Sequence, residues 1–146
     1  MLNRAMFLPK RTILALSVMI DIAQNASQSP VSSKDLADRH GVSPRFFEIM
    51  LKNLASSALI RGQRGPKGGY RLERDPQNIR VGDIVSSVSA EPEEQEFSLP
   101  QSAEGQLMPY IDTINAAILQ KLNETTLANL MGMKKAQNWP ASALAS

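Results

Sequence analysis

The chain of 146 residues is 42% apolar and 21% charged, which is typical of a folded globular protein of one domain with at most a small extension. It contains no cysteine, and this excludes disulfides, thiol catalysis and metal centres held by thiolates. Because no run of about 18 apolar residues occurs, we expect no membrane-spanning helix.

Positive charge is concentrated in the first half of the chain. Residues 1–74 contain 12 Lys and Arg against 5 Asp and Glu, a net charge of +7, whereas residues 75–146 contain 4 against 9, a net charge of −5. This asymmetry makes the N-terminal half a candidate for binding a polyanion and argues against that role for the other half. Uneven solubility is the alternative explanation.

The N-terminus shares two of the three features of a secretory leader, a basic start and the apolar segment 13–20. The third feature is missing, because Asp21 ends the apolar segment and Ala23-Gln24-Asn25 does not have the small-x-small pattern of a cleavage site. We therefore expect a cytoplasmic protein.

The first predicted helix runs from Lys10 to about Asn25. Apolar residues recur along it at helical spacing and predict the face that packs on the core. These residues are Ile13, Leu16, Met19, Ile20 and Ala23.

Two further helices joined by a tight turn are predicted next. Ser32 has the features of an N-cap with Asp35 in the first turn of a short helix that ends near Arg39. Gly41 suits the left-handed conformation that ends such a helix, and Ser43 then caps a third helix that reaches about Ser57. This pattern predicts a helix-turn-helix.

The third helix has a predicted buried face and an outer face. The expected buried residues are Phe47, Met50, Leu51, Leu54 and Ala58. Adjacent residues do not share a helical face, so Phe47 is assigned to the core and Phe46 to the margin of the outer face. Arg45, Glu48 and Lys52 lie on the outside, where a recognition helix contacts bases.

A glycine-rich, basic segment follows between two short predicted strands, at residues 59–61 and 70–72. It contains Arg64 and Lys67 among three glycines, Gly65, Gly68 and Gly69. Glycine lets a hairpin tip approach another backbone closely, and the two cations favour a phosphate backbone. After a helix-turn-helix, this hairpin predicts a DNA-binding wing, although a solvated turn would also explain it.

The C-terminal half is predicted to contain a short helix from about Val81, a loop from Glu91 to about Gly105 with an acidic cluster, and a long helix that begins at Pro109. A last helical turn after Thr126 precedes a mobile tail beyond Lys135.

One face of the long helix is apolar over three turns. Its residues Ile111, Ile114, Ile118 and Leu122 are the predicted dimerisation residues, since the preceding domain offers little surface to cover them.

Several of these segments together resemble the bacterial Rrf-two family of transcription regulators, which includes the IscR and NsrR types. The resemblance covers the chain to about residue 132. It rests on VSSKDLA at 31–37, Val42, Ser43, Glu48, Leu51, Leu54, ALI at 58–60, RG at 64–65, GGY at 68–70, VGDIV at 81–85 and TLANL at 126–130.

The resemblance implies a mainly α fold with a small β-hairpin wing, a winged helix-turn-helix followed by a long C-terminal dimerisation helix. It further implies a homodimer that binds a pseudo-palindromic operator in double-stranded DNA, as a repressor rather than an activator. By the resemblance, Arg45, Phe46 and Glu48 match the turn that contacts bases, and Arg64 matches the wing residue at the minor groove. The predicted DNA-binding residues are Ser33, Ser43, Arg45, Phe46, Glu48, Lys52, Arg61, Arg64, Gly65, Lys67, Gly68 and Gly69.

Physical chemistry supports these roles independently. A glutamate at position 48 accepts a hydrogen bond from a cytosine amino group, and the negative potential of a narrow minor groove attracts Arg64. The family often has tyrosine where this chain has Phe46, so contact with a thymine methyl replaces hydrogen bonding there.

The chain departs from the cluster-binding relatives between Glu91 and Gly105, where those proteins place three cysteines. A thiolate-held iron–sulfur cluster is therefore excluded, and we expect no cofactor. The four glutamates in this loop suit solvated charge better than a metal site, and His40 has no second imidazole or cysteine with which to bind a metal. An unknown small molecule or a partner protein acting at the loop and the dimer helix is the alternative signal.

The predicted organisation is a DNA-binding domain at 1–90, an acidic loop at 91–106, a dimerisation helix and short terminal helix at 107–132, and a flexible tail at 133–146. The alternative function is a winged-helix protein-interaction module that has lost DNA binding. An enzyme is disfavoured, because no nucleophile with a base, no phosphate loop and no metal-ligand spacing occurs.

Overall fold

The computed structural model of the protein describes residues 8–26, 29–89 and 100–132. The predicted acidic cluster at residues 91–96 and the tail after residue 132 lie outside these ranges. Within them, no helix combines the length and apolar character needed to cross a membrane. The described elements are α1 Lys10–Asn25, α2 Ser33–His40, α3 Pro44–Ser56, β1 Ile60–Gln63, β2 Gly69–Leu72, a 3-10 turn Pro76–Asn78, α4 Val81–Val88, α5 Gln101–Asn123 and α6 Leu127–Leu130.

The helix-turn-helix predicted from capping residues is confirmed. The Ser32 hydroxyl accepts a hydrogen bond from the backbone N–H of Asp35 at 3.1 Å, which fixes the start of α2. Gly41 has φ of 64° and ends this helix in the left-handed conformation that glycine adopts without strain. The Ser43 hydroxyl then accepts from the N–H of Phe46 and caps α3.

The buried face of α1 differs from the predicted one. Met19 and Ala23 are buried as expected, but Ile13 is 41% exposed, whereas Ala15 and Val18 are completely buried. The helix contacts α2, α4, α6 and β2, and its buried side chains range in size from Ala15 to Met19. The predicted face followed the large apolar residues, whereas the observed buried face is rotated around the helix axis toward Ala15 and Val18.

The core assignment on α3 is confirmed except at its C-terminal end. Phe47 is 1% exposed and Phe46 is 40% exposed, as the helical period predicts. Ala58, predicted to be buried, is exposed and has φ of 56°. The helix ends at Ser56, so Ala58 lies in the turn that leads to β1 and no longer belongs to the helical face.

The long helix begins at Gln101, eight residues before Pro109, where it was predicted to begin. The loop predicted to extend to residue 106 therefore stops by Pro100. A proline inside a helix removes a backbone hydrogen bond to the carbonyl four residues earlier, here that of Gly105. Both residues are exposed, so water can satisfy this carbonyl and the helix tolerates Pro109.

An acidic residue of α1 joins α1 to the helix-turn-helix. Asp21 accepts from Arg39 through both carboxylate oxygens, at 2.7 and 3.0 Å, and its Oδ2 lies 3.0 Å from Nε2 of His40. The His40 ring also stacks on Phe47 of α3, with ring centroids 6.3 Å apart. His40 lies at the end of α2 and links α1 to α3 through these two contacts.

Removal of the Asp21 carboxylate is predicted to loosen this junction. We expect Asp21→Ala to lower the free energy of unfolding by about 1–2 kcal/mol. The loss is modest because the ion pair of Asp21 with Arg39 is only partly shielded from solvent, since Arg39 is half exposed. Asp38→Ala is the matched control, since Asp38 is exposed on α2 and forms no ion pair among the described residues. Denaturant unfolding of both variants measures the difference, and equal losses would contradict a role for the Asp21 junction.

Candidate nucleic-acid interface

The outer face of α3 presents both charged and apolar side chains. Arg45, Ile49 and Lys52 recur at helical spacing on the side opposite the buried residues, and all three are exposed. Glu48 and Phe46 are also exposed and flank this line on either side. This surface offers a hydrogen-bond acceptor, two cations and two apolar side chains, the groups that distinguish base pairs in a major groove.

Ile49, which is 44% exposed, was missed in the sequence analysis. It follows Arg45 by four residues and precedes Lys52 by three, so the helical period alone places it at the centre of the outer face.

The hairpin forms as predicted, with strands that extend slightly closer to the tip. Strands β1 and β2 pair antiparallel with Ile60 opposite Leu72 and Gln63 opposite Gly69. At the tip, the N–H of Gly68 donates to the carbonyl of Gly65 at 2.9 Å. A Cβ at Gly68 would overlap the carbonyl oxygen of Gln63, so the tight turn requires glycine there.

The wing is docked on the segment that precedes α2. The N–H of Val31 donates to the carbonyl of Tyr70 at 3.0 Å, and the N–H of Tyr70 donates to the carbonyl of Val31 at 2.8 Å. A Cβ at Gly69 would overlap the Val31 carbonyl and lie 2.8 Å from the N of Ser32. Glycine at position 69 is therefore a condition for the wing to lie against the helix-turn-helix.

This docking creates an open groove between the start of α2 and the wing. Its lining residues come from two segments about thirty residues apart in the chain. They are Ser32, Ser33, Gly62, Gln63, Arg64, Gly65, Gly68, Gly69 and Tyr70. Ser33, Arg64 and the wing glycines are predicted from sequence as DNA-binding residues. The other lining residues, Ser32, Gly62, Gln63 and Tyr70, are not, because only the pairing of Val31 with Tyr70 brings the two segments together.

The cations of this surface have no acidic partner among the residues that the structure describes. Arg45, Lys52, Arg61, Arg64 and Lys67 are exposed, and none of them forms an ion pair within the described part of the chain. By contrast, Arg39 and Arg74 are paired with carboxylates. An exposed cation without a protein partner is available to a phosphate and releases counterions when it binds one.

The predicted dimerisation residues lie on a helix that its own chain does not cover. No described residue of α5 is buried, and Ile111 and Ile114 are 41% and 38% exposed. Ile118 and Leu122 are half buried, because the last turns of α5 contact α4. Further exposed apolar residues on this helix are Leu107, Met108, Tyr110 and Leu119.

A helix-turn-helix followed by a two-stranded hairpin docked against it defines the winged helix-turn-helix class. A family model described as Rrf2, iron-dependent transcriptional regulator, matches residues 8–133. The chain therefore belongs to the Rrf2 family of transcriptional regulators, and the family resemblance inferred from sequence is confirmed.

Curated relatives and solved structures agree with this assignment. The chain is 32% identical to protein rrf2 of Nitratidesulfovibrio vulgaris over 131 residues, which cover 86% of this chain and 87% of that protein. It is 36% identical to the HTH-type transcriptional regulator IscR of Escherichia coli over 74 residues, 51% of this chain and 46% of that protein.

Among solved structures, T. potens IscR superposes with a TM-score of 0.65 at 27% identity, covering 92% of this chain and 93% of that one. Staphylococcus aureus CymR has a TM-score of 0.63 at 29% identity, covering 88% of this chain and 100% of that one. The mainly helical fold with a hairpin wing is thereby confirmed.

The iron in the family description has no thiolate ligand in this chain. The sequence contains no cysteine, and the described residues include no group of three or more His, Asp or Glu side chains placed to hold a metal ion. An iron–sulfur cluster held by cysteine thiolates does not fit these residues.

Docking of the wing gives a stability prediction. We expect Gly69→Ala to lower the free energy of unfolding by about 1–3 kcal/mol, because the added methyl group overlaps backbone atoms of residue 31 that cannot move independently. Gly62→Ala is the control in the facing strand, where an added Cβ would lie 3.6 Å from the Tyr70 ring, an ordinary contact. Denaturant unfolding compares them, and a Gly69 variant as stable as the Gly62 variant would contradict the docking.

Proposed function

We propose that the protein is a repressor that binds a pseudo-palindromic operator as a homodimer, with α3 in the major groove and the wing at the adjacent backbone and minor groove. The observation that carries this proposal is the set of exposed cations that α3 and the docked wing present together, none of which forms an ion pair with another described residue. Repression requires only that the bound dimer cover its site.

Base contacts are assigned to the outer face of α3. Arg45 has the donor geometry for guanine, and Glu48 accepts from the amino group of cytosine. Phe46 and Ile49 lack hydrogen-bonding groups in their side chains and suit the methyl group of thymine. These four side chains are exposed in the protein without DNA, so binding requires no rearrangement of the core.

Backbone contacts are assigned to the groove and its rim. Ser33 and Ser43 are exposed at the N-termini of α2 and α3, where N–H groups and the helix dipole favour a phosphate. Lys52, Arg61 and Lys67 supply exposed positive charge. Among the wing glycines assigned to the interface, Gly65 has open space where a Cβ would lie and lets the backbone approach the DNA, whereas Gly68 and Gly69 hold the tip and the docked wing in place. Arg64 is assigned to the minor groove.

The homodimer is assigned to α5. A helix of 23 residues without a buried side chain gains little stability from its own domain, whereas a second copy would cover Ile111, Ile114 and their neighbours. Two copies related by a two-fold axis present two recognition helices to two half-sites.

The signal that controls DNA binding reaches the protein by a route other than a thiolate-held cluster, because the chain has no thiolate. A small molecule or partner protein acting at α5 and the preceding segment is the hypothesis that follows from the family. If no metabolite changes operator affinity or thermal stability, this hypothesis is wrong.

Arg64 gives the sharpest test of DNA binding. Genomic fragments retained by the protein at near-physiological salt are sequenced beside those retained by Arg64→Ala and by Lys121→Ala. We expect the wild type and the Lys121 variant to enrich a two-fold motif, and Arg64→Ala to bind it more weakly by about 1–3 kcal/mol. Lys121 is the control because it is an exposed cation on α5 that pairs with Glu124.

Each result of this selection has a distinct meaning. An enriched motif that Arg64→Ala binds as tightly as wild type would remove Arg64 from the interface. Absence of any enriched motif, together with an affinity that does not depend on salt, would favour the protein-interaction module over the regulator.

The dimer is tested by charge on the apolar face of α5. We expect Ile114→Asp with Ile118→Asp to produce monomers, because two carboxylates in the proposed interface would be desolvated without partners. Ala116→Asp with Gln120→Asp adds the same charges at the same spacing on the other side of the helix and is expected to remain dimeric. Sedimentation measures both, and a dimer that persists in the isoleucine variant would place the interface elsewhere.

A further inference from the structure

The C-terminal end of α5 is held to the DNA-binding domain by a cluster of short contacts. The guanidinium of Arg80 donates to the carbonyl of Asn123 at 2.6 Å, and the N–H of Val81 donates to the carbonyl of Thr125 at 2.8 Å. The N–H of Leu127 donates to the carbonyl of Ile79 at 2.8 Å. The chain on both sides of residue 126 is therefore paired with residues 79–81.

Close packing of α4 on α5 completes this joint. Gly82 is buried in the first turn of α4, and a Cβ there would overlap Oδ1 of Asn123 and lie 3.1 Å from Cδ1 of Leu119. The space next to Gly82 is thus filled by the Asn123 side chain. This explains the glycine of the VGDIV segment, for which DNA contact and dimerisation provide no reason.

The same short helix is attached to the recognition helix. The hydroxyl of Ser87 on α4 donates to the carbonyl of Asn53 on α3 at 2.9 Å, and it accepts from the Ser57 hydroxyl at 3.0 Å. Helix α4 therefore contacts α5 at one end and α3 at the other, and the two contacts relate the direction of α5 to that of α3.

We propose that Gly82 and Asn123 are positioning residues that set the distance between the two recognition helices, and hence the half-site spacing that the protein prefers. The inference rests on the proposed homodimer. Upstream of its last turns α5 has no buried residue, so the joint at Arg80, Gly82 and Asn123 determines the direction in which the helix leaves the domain.

The length of α5 makes its direction matter. At about 1.5 Å per residue the helix is about 35 Å long. A change of direction of about 10° at its C-terminal end displaces a point halfway along it by about 3 Å, the rise of about one base pair. Small changes of packing at Gly82 are therefore large enough to alter the spacing between half-sites.

The test uses the full-length protein and operators in which two copies of the selected half-site are separated by stepwise increasing distances. Wild type is expected to bind best at one spacing. Gly82→Ala is expected to shift this optimum by about one base pair or more while the protein remains dimeric in sedimentation. Asn123→Ala, which leaves space beside Gly82, is expected to broaden the range of spacings bound.

The double variant Gly82→Ala with Asn123→Ala places a methyl group in the space that the Asn123 side chain vacates. We expect it to restore the wild-type optimum, a rescue that simple loss of stability would not produce. Gly105→Ala is the control for the glycine change, because an added Cβ there meets nothing within 4 Å and the wild-type optimum should remain.

Different results would contradict the role of the joint and the proposed homodimer. If wild type shows an optimum and both single variants keep it unchanged in position and width, the joint does not set the spacing. If Gly82→Ala does not fold, an unaltered optimum in Asn123→Ala alone is sufficient to overturn the proposal. If wild type binds single half-sites as well as paired ones, the homodimer on a two-fold operator is wrong and the inference falls with it.

Discussion

The placement of the wing depends on the two backbone hydrogen bonds between Val31 and Tyr70. They attach β2 directly to the residue before the N-cap of α2 and so fix the wing against the helix-turn-helix. Because these hydrogen bonds join only backbone groups, they require no particular side chains except where the two segments come closest. That point is Gly69, where a methyl group would displace the Val31 carbonyl. The groove and the position of Arg64 follow from this contact.

The hydrophobic core is covered by the protein's own elements, whereas most of α5 is not. The core cluster draws on α1, α2, α3, the hairpin, α4 and α6, and it includes no residue of α5. Leu127 of α6 is completely buried, so the chain returns to the core immediately after α5 ends. The core is thus closed without α5, which leaves that helix available to the proposed second copy, and in that dimer its attachment to α4 would connect dimerisation with DNA contact.

Local features were predictable from sequence and long-range ones were not. The caps at Ser32 and Ser43 involve residues three positions apart, and the choice of Phe47 over Phe46 needs only the helical period. The buried face of α1 was predicted correctly at Met19 and Ala23 and wrongly at Ile13, because that face depends on which neighbours pack against the helix. The groove could not be predicted, because it requires the pairing of segments about thirty residues apart. The start of α5 was misplaced because proline is usual in a first helical turn but also tolerated at an exposed interior position.

The chemistry of the signal is constrained by composition more than by fold. The chain shares its architecture with an IscR structure, yet it offers no sulfur ligand other than methionine, and a thioether does not replace the thiolate charge that stabilises an iron–sulfur cluster. Control of DNA binding must then act through the geometry that the fold retains. In the proposed homodimer the junction of α4 with α5 is suited to this, because a ligand or partner that changes how α5 meets Gly82 would also change the relation between the two recognition helices. An effector that binds one arrangement of this junction more tightly than another would thereby alter the affinity for DNA.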